Sequence, residues 1–218
     1  TADGPHTFTV RGNDAAGNLA QTSYAWTVDS VAPAVSITAK PPDPSGVSTA
    51  HFEFSAADQT SVAYQCQLDA GVFQSCASPK DISGLANGTH TFTAKGTDAA
   101  GNTGSASYSW TVDTAAPVVT INQAPASPTN QTGATFTFTS SKPSSTFECQ
   151  LDGGGFSACT SPRTYGSLGA GAHSFQARAT DSLGHTGPAT TYAWTIDLTP
   201  PPTPAIGSTA GRSSAGLA

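Results

Sequence analysis

The chain is poor in charged residues, has no methionine and contains no long apolar run. Charged residues make up 10% of its 218 positions, and 14 acidic residues face 8 basic ones. A nucleic-acid surface needs clustered lysine and arginine, and this balance argues against one. A membrane helix needs about 20 consecutive apolar residues, which the chain never reaches. The composition therefore favours neither nucleic-acid binding nor a membrane span within this segment.

Helical periodicity is also missing, whereas alternation of apolar and polar residues is frequent. Tyr108, Trp110 and Val112 share one face of a segment whose other face carries Ser109 and Thr111. Such alternation predicts strands with one buried and one solvated face. We therefore assign the tryptophans at this register to the core rather than to a sugar-stacking platform. The predicted core residues are Phe92, Trp110, Phe175 and Trp194.

The sequence repeats itself with a period of about 84 residues. The pattern Trp-Thr-(Val/Ile)-Asp ends three segments, at 26–29, 110–113 and 194–197. Tandem units of this size indicate an array of small domains rather than one large core. The predicted domains are the C-terminal part of a repeat (1–29), two complete repeats (30–113 and 114–197), and a linker with the start of a further repeat (198–218).

Turn signals divide each complete repeat into about seven short strands. In the first repeat these are expected near 34–39, 49–56, 62–69, 72–76, 79–83, 89–97 and 106–113. This pattern over about 84 residues predicts an immunoglobulin-like or fibronectin-like sandwich. The predicted fold is thus all-β, with tandem sandwich domains in a linear array joined by short proline-stiffened linkers.

Residues 1–29 contribute only the last two strands of a sandwich, and a lone hairpin is marginal in water. The repeat phase runs through both ends without interruption, which favours a segment of a longer protein whose upstream residues complete this domain. Pairing of the ends with other copies in a filament, by strand addition, is the alternative.

The four cysteines form one pair in each complete repeat, with nine residues between the partners: Cys66/Cys76 and Cys149/Cys159. A paired and repeated arrangement predicts one disulfide within each repeat, made in an oxidising compartment. A hairpin centred near Gly71 would place Cys66 and Cys76 directly across two strands. Zinc is the weaker alternative because no close ligand doublets are present.

The repeats resemble the bacterial immunoglobulin-like and fibronectin type III-like repeats of large secreted or surface-anchored proteins. The segments that carry this resemblance lie at 147–152, 159–162, 168–175 and 194–197, and the first repeat has the same pattern from Tyr64 to Asp113. The resemblance implies an extracellular or cell-surface location in a bacterium. It also implies partners that are neighbouring repeats of the same chain and, in a filament, other copies.

Two groups of polar residues could bind a metal or serve the fold alone. The Asp-x-x-Gly-Asn turns supply four candidate calcium ligands: Asp14, Asn18, Asp98 and Asn102. The linker residues Asp29 and Asp113 are candidates for further oxygen ligands. The alternative is a turn in which Asp and Asn cap backbone groups. His6, His90 and His173 occupy one repeat position, which favours a structural corner histidine over a metal site.

No nucleophile elbow, phosphate loop or acid–base constellation is present in the sequence, so no enzymatic activity is expected. The predicted function is that of a structural segment of an extracellular repeat protein, as a stalk, fibre or adhesin shaft. The alternative is a spacer or a carbohydrate-binding module array of a secreted hydrolase. No cofactor is expected apart from the candidate calcium.

Overall fold

The computed structural model describes residues 2–204, and within them all regular structure is β-strand. Within this range the chain divides into two compact units, the first containing residues 2–115 and the second residues 116–182 and 186–204. No helix long and apolar enough to cross a membrane occurs among the described residues.

The first unit begins with a separate hairpin and continues with a complete sandwich. The hairpin strands are β1 (Gly4–Asn13) and β2 (Leu19–Val28). The sandwich strands are β3 (Ala34–Ala39), β4 (Ala50–Ala57), β5 (Ala63–Leu68), β6 (Gln74–Ser75), β7 (Lys80–Ile82), β8 (Gly88–Thr97) and β9 (Thr103–Val112). Each of these strands begins and ends within three residues of its expected segment.

This sandwich consists of a three-stranded sheet, in the order β3-β4-β7, and a four-stranded sheet, in the order β6-β5-β8-β9. All strand pairs within the two sheets are antiparallel. After β3 the chain crosses to the larger sheet, where Ser45 forms a parallel bridge with Val112. The short fourth strand lies beside β5, in the arrangement of a fibronectin type III-like domain.

The second unit repeats this plan. Its strands are β10 (Val119–Gln123), β11 (Ala134–Ser140), β12 (Thr146–Leu151), β13 (Ser157–Cys159), β14 (Arg163–Tyr165), β15 (Gly171–Thr180) and β16 (Thr190–Ile196). They form the sheets β10-β11-β14 and β13-β12-β15-β16. The parallel bridge recurs between Thr129 and Ile196.

Each core is centred on aromatic side chains from facing sheets. In the first sandwich Phe52 of β4 stacks on Phe92 of β8, with ring centroids 4.1 Å apart, and meets Trp110 of β9 edge-on at 5.2 Å. Phe92 and Trp110 are each only 1% exposed. The second core repeats these contacts, and its Phe175 and Trp194 are likewise buried. Alternation in the sequence therefore reflects which strand face is buried.

Candidate functional site

The most elaborate polar arrangement of the first sandwich surrounds His90 in β8. Its Nδ1 lies 2.9 Å from a carboxylate oxygen of Asp69, in the turn after β5, and its Nε2 lies 2.8 Å from the Ala86 carbonyl oxygen. The ring packs on Trp110, at 5.7 Å between centroids. Because both ring nitrogens face acceptors, both must donate, and only the imidazolium form can do so.

The charge on this histidine follows from its surroundings. The Ala86 carbonyl and the Asp69 carboxylate raise the pKa of His90 above its ordinary value, against the opposing effect of burial. Burial alone would raise the pKa of Asp69, but hydrogen bonds from His90 and the Thr91 amide outweigh it and lower that pKa. Both shifts favour the charged forms of the two groups, and the contact between them ties the β5 turn to the start of β8.

The second sandwich contains the same corner. His173 Nδ1 lies 2.7 Å from Asp152, its Nε2 lies 3.0 Å from the Gly169 carbonyl oxygen, and the ring stacks on Trp194. Asp152, like Asp69, adopts a positive φ that begins a tight turn. The sequence pattern singled out the histidines, and the structure adds the aspartates, each 21 residues earlier in the chain.

The Asp-x-x-Gly-Asn turns are closed by their own side chains. Asp98 accepts hydrogen bonds from the amides of Ala100 and Asn102 through one oxygen, and from the Asn102 side chain through the other. Asp14 makes the equivalent bonds with Ala16 and Asn18. These contacts are those of a capped turn.

The Asp98 carboxylate nevertheless belongs to a group of three neighbouring carboxylates. One oxygen atom from each of Asp29, Asp58 and Asp98 lies within 4.8 Å of the other two. Asp98 is buried; burial raises its pKa, but the Asn102 hydrogen bonds outweigh this effect and leave the pKa lowered. The side chain of Asn102 also donates to the Asp29 carbonyl oxygen, at 3.1 Å. We call Asp29, Asp58 and Asp98 the carboxylate cluster.

The second sandwich carries a lysine where the first has Asp58. Asp58 comes four residues after Phe54, and Lys142 comes four residues after the equivalent Phe138. The Lys142 ammonium lies 2.8 Å from the carboxylate of Asp181, which matches Asp98 in the repeat and is 3% exposed in its side chain. In the second sandwich the Lys142 ammonium therefore contacts Asp181, the counterpart of Asp98. In the first sandwich Asp98 lies instead beside two other carboxylates.

The two cysteine pairs are joined as intradomain disulfides, Cys66–Cys76 and Cys149–Cys159. The partners are diagonal rather than directly opposite, because Cys66 is in register with Gln74, two residues before Cys76. The turn after β5 is responsible: it sets the register through bonds such as Gly71 N to Leu68 O. The expectation of directly opposed cysteines was wrong by two residues.

The structure thus separates the residues singled out in the sequence. Asp98 and Asn102 lie beside Asp29, whereas Asp14 and Asn18 form an exposed turn at the end of the first hairpin. Asp113 follows β9 and accepts a hydrogen bond from the Ala115 amide. Asp58 and Lys142 were missed, since nothing in their local sequence distinguishes them; alignment of the two repeats on Phe54 and Phe138 would have found them.

No family model and no curated protein sequence matches the chain. Among solved structures it is similar to fibronectin(III)-like modules of Clostridium thermocellum CbhA, with 15% identity, a TM-score of 0.36, and coverage of 74% of this chain and 93% of that one. It is also similar to a tetra-tandem repeat in the extending region of a large adhesion protein, with 17% identity, a TM-score of 0.36, and coverage of 90% and 57%.

A third similar structure belongs to a 1.5-MDa bacterial ice-binding adhesin, with 15% identity, a TM-score of 0.46, and coverage of 91% and 76%. The chain spans just over half the length of the tetra-tandem repeat structure and most of the other two. These three structures are fibronectin(III)-like modules, a tandem repeat of a large adhesion protein and a bacterial ice-binding adhesin. The all-β sandwich is evident from the chain's own strand pairing.

Proposed function

We propose that the chain is a non-catalytic structural segment of an extracellular repeat protein, serving as a stalk, fibre or adhesin shaft. The observation that carries this proposal is the same sandwich built twice, with the same aromatic core, histidine corner and disulfide, preceded by a third copy of the terminal hairpin. Disulfides persist in oxidising compartments, which supports a location outside the cell. Repetition of one stable unit supplies length and surface rather than a reaction centre.

A carbohydrate-binding array would need exposed aromatic side chains on its sheets. Among the described residues of the two complete sandwiches, Phe73 is the one aromatic residue that is exposed, and Lys95 lies over its ring. A row of stacking platforms is therefore not formed there, and the structural role is the better supported of the two. Affinity electrophoresis in polysaccharide gels tests the alternative directly, since retardation by a polysaccharide would favour it.

Stretching the chain between two surfaces tests the structural role. Each complete sandwich should resist the applied force and then unfold in a single event, so that each molecule gives two unfolding events. Reduction should lengthen each event by about 30 Å, because a separation of ten residues extends to about 3.5 Å each, whereas the intact disulfide holds the two Cα atoms 5.7 or 5.8 Å apart. The matched control is the double variant Cys66→Ser, Cys76→Ser, which lacks the disulfide of the first sandwich. Before reduction, only the unfolding event of that sandwich should show the added length. Gradual extension without discrete events would contradict a load-bearing role.

We also propose that the carboxylate cluster binds a calcium ion. The three carboxylates supply the hard oxygen ligands that calcium prefers. Their oxygen atoms lie within 4.8 Å of one another, close enough for each to lie about 2.3–2.6 Å from one shared ion. Grouped negative charges repel one another unless a cation compensates them. In the second sandwich Lys142 supplies such a positive charge from within the chain. The first sandwich has Asp58 at this position, and the proposed calcium ion would take the place of that ammonium group.

The exchange of Asp58 for lysine tests this site. Calcium should raise the thermal midpoint of the first sandwich in the native chain, because a ligand that binds only the folded state stabilises it. In Asp58→Lys the added ammonium should replace the ion and abolish the response. Asp81→Asn, which removes an exposed carboxylate elsewhere in the same sandwich, should respond like the native chain. A native chain indifferent to calcium, or an equal response in Asp58→Lys, would exclude the site.

A further inference from the structure

The first sandwich has an open cavity on the side where β6 and β7 end its two sheets. The volume of this cavity is about 320 Å³, and it lies between the β5–β6 hairpin and β7. Apolar side chains and the disulfide line much of it: Cys66, Leu68, Cys76, Ile82 and Phe92. A space of this kind, apolar inside and open at one side, can receive an apolar group from another molecule.

The second sandwich places a tyrosine where the first has Ile82. Ile82 and Tyr165 each end a short strand, and each lies opposite the alanine that begins β4 or β11. The ring of Tyr165 meets Phe175 edge-on, with centroids 6.1 Å apart. Phe175 is the counterpart of Phe92, which lines the cavity of the first sandwich. The second sandwich therefore packs a phenol ring of its own against the residue that the smaller Ile82 leaves open to a ligand.

A basic residue comes two positions before each of these side chains, on the same face of its strand. Arg163 lies over the ring of Tyr165, with its guanidinium carbon 5.1 Å from the ring centroid. Lys80 has the same position in β7 and lines the cavity. The neighbouring Asp81 lies 2.6 Å from Nδ1 of His51. Because the face of an aromatic ring attracts cations, Lys80 is complementary in charge to a ring that enters the cavity.

Unpaired strand edges flank the cavity. Among the described strands, β6 ends the four-stranded sheet and β7 ends the three-stranded sheet, so each has one edge without a neighbouring strand. The backbone groups of such an edge can bind an extended peptide through main-chain hydrogen bonds. A ring carried by an extended peptide segment uses both the cavity and an edge, whereas a free aromatic molecule uses the cavity alone.

We propose that the cavity binds the side chain of a tyrosine on an extended segment of a partner protein. The ring packs against Phe92 and beneath the Lys80 ammonium, in the arrangement that Tyr165 has within the second sandwich. The segment itself hydrogen-bonds to the free edge of β6 or β7. This inference depends neither on the structural role nor on the calcium site, because it uses none of the residues that carry them.

A titration of the whole chain with p-cresol, the free side chain of tyrosine, tests the cavity by NMR. We expect millimolar affinity, which suits so small a ligand, and shifts confined to the amides of the cavity residues. Ile82→Tyr should abolish these shifts because the chain then fills the cavity itself. The reciprocal variant Tyr165→Ile should create a second site beside Phe175. A native chain without shifts at Ile82 and Phe92, or unchanged binding in Ile82→Tyr, would overturn the proposal.

The saturated analogue 4-methylcyclohexanol tests the role of the aromatic ring. It has no ring face for Lys80, so the native chain should bind it about two- to fivefold more weakly than p-cresol. In Lys80→Gln this difference should disappear. Equal affinity of the native chain for the two compounds would show that the cavity does not select an aromatic ring, and the proposal would fail.

An acetylated and amidated Thr-Thr-Tyr-Thr-Thr peptide tests the extended segment. Added hydrogen bonds to a strand edge should make it bind about tenfold more tightly than p-cresol. Its amides should also shift resonances of β6 or β7, and the analogue with alanine in place of tyrosine should not bind. A peptide that binds no more tightly than p-cresol would overturn the assignment to a partner segment. None of these results bears on forced unfolding or on calcium, so the proposals fail separately.

Discussion

The histidine corner should make each complete sandwich less stable as the pH rises. His90 has a raised pKa in the folded state because of the Ala86 carbonyl and the Asp69 carboxylate. A group whose pKa is raised by folding stabilises the protein fully below its unfolded value, about 6.5 for histidine, and loses that contribution as the pH passes the folded value. Stability should therefore fall on the alkaline side of pH 6.5.

The size of the effect follows from the contacts. Hydrogen bonds to charged groups contribute about 1.5–3 kcal/mol each when well formed. The His90 side chain is 12% exposed, but that of Asp69 is 43% exposed, so solvent screens the ion pair. We therefore expect a loss of about 1–3 kcal/mol in the free energy of unfolding of the first sandwich once His90 is deprotonated.

Urea denaturation of the native chain and of His90→Gln across pH 5.5–9 measures this loss. The variant should be less stable at pH 5.5 and should lose the part of the pH dependence that belongs to the first sandwich. A double-mutant cycle with Asp69→Asn isolates the ion pair. His173 and Asp152 provide an internal replicate in the second sandwich. Parallel pH profiles of native chain and variant, or an NMR titration that places the folded pKa of His90 at or below 6.5, would refute the reasoning.

Three further predictions concern the first sandwich. Trp110→Ala should cost about 3–5 kcal/mol in the free energy of unfolding, because it empties a fully buried site; ready access of acrylamide to native Trp110 would contradict its placement. Removal of the Cys66–Cys76 bridge should cost about 3 kcal/mol by the loop-entropy relation, and a non-reducing peptide map should show this pairing and no free thiol. Gly104→Ala should destabilise by about 1–3 kcal/mol in chemical denaturation, because its Cβ would overlap the Pro33 carbonyl; a neutral result would place β3 farther from β9.

Strand positions and their buried faces were predictable because they depend on neighbours along the chain. Alternation around Phe92 and Trp110 identified the side of each strand that faces inward, and side chains of a strand alternate whatever the tertiary fold. The repeat supplied the domain size, and the regular cysteine spacing identified the pairs. The diagonal offset of Cys66 and Cys76 was not predictable, since the register depends on the turn between them.

The polar sites depended on the tertiary structure because their members are distant in sequence. His90 was visible as a repeated residue, but its partner Asp69 lies in the turn of another strand and meets it only when β5 pairs with β8. Asp29, Asp58 and Asp98 likewise come from a linker and two separate loops. The sequence by itself determined the repeat, the strands and their apolar faces, which follow from local periodicity. Only the folded chain decided which charges meet, because strand pairing and sheet packing bring together residues that no local pattern relates.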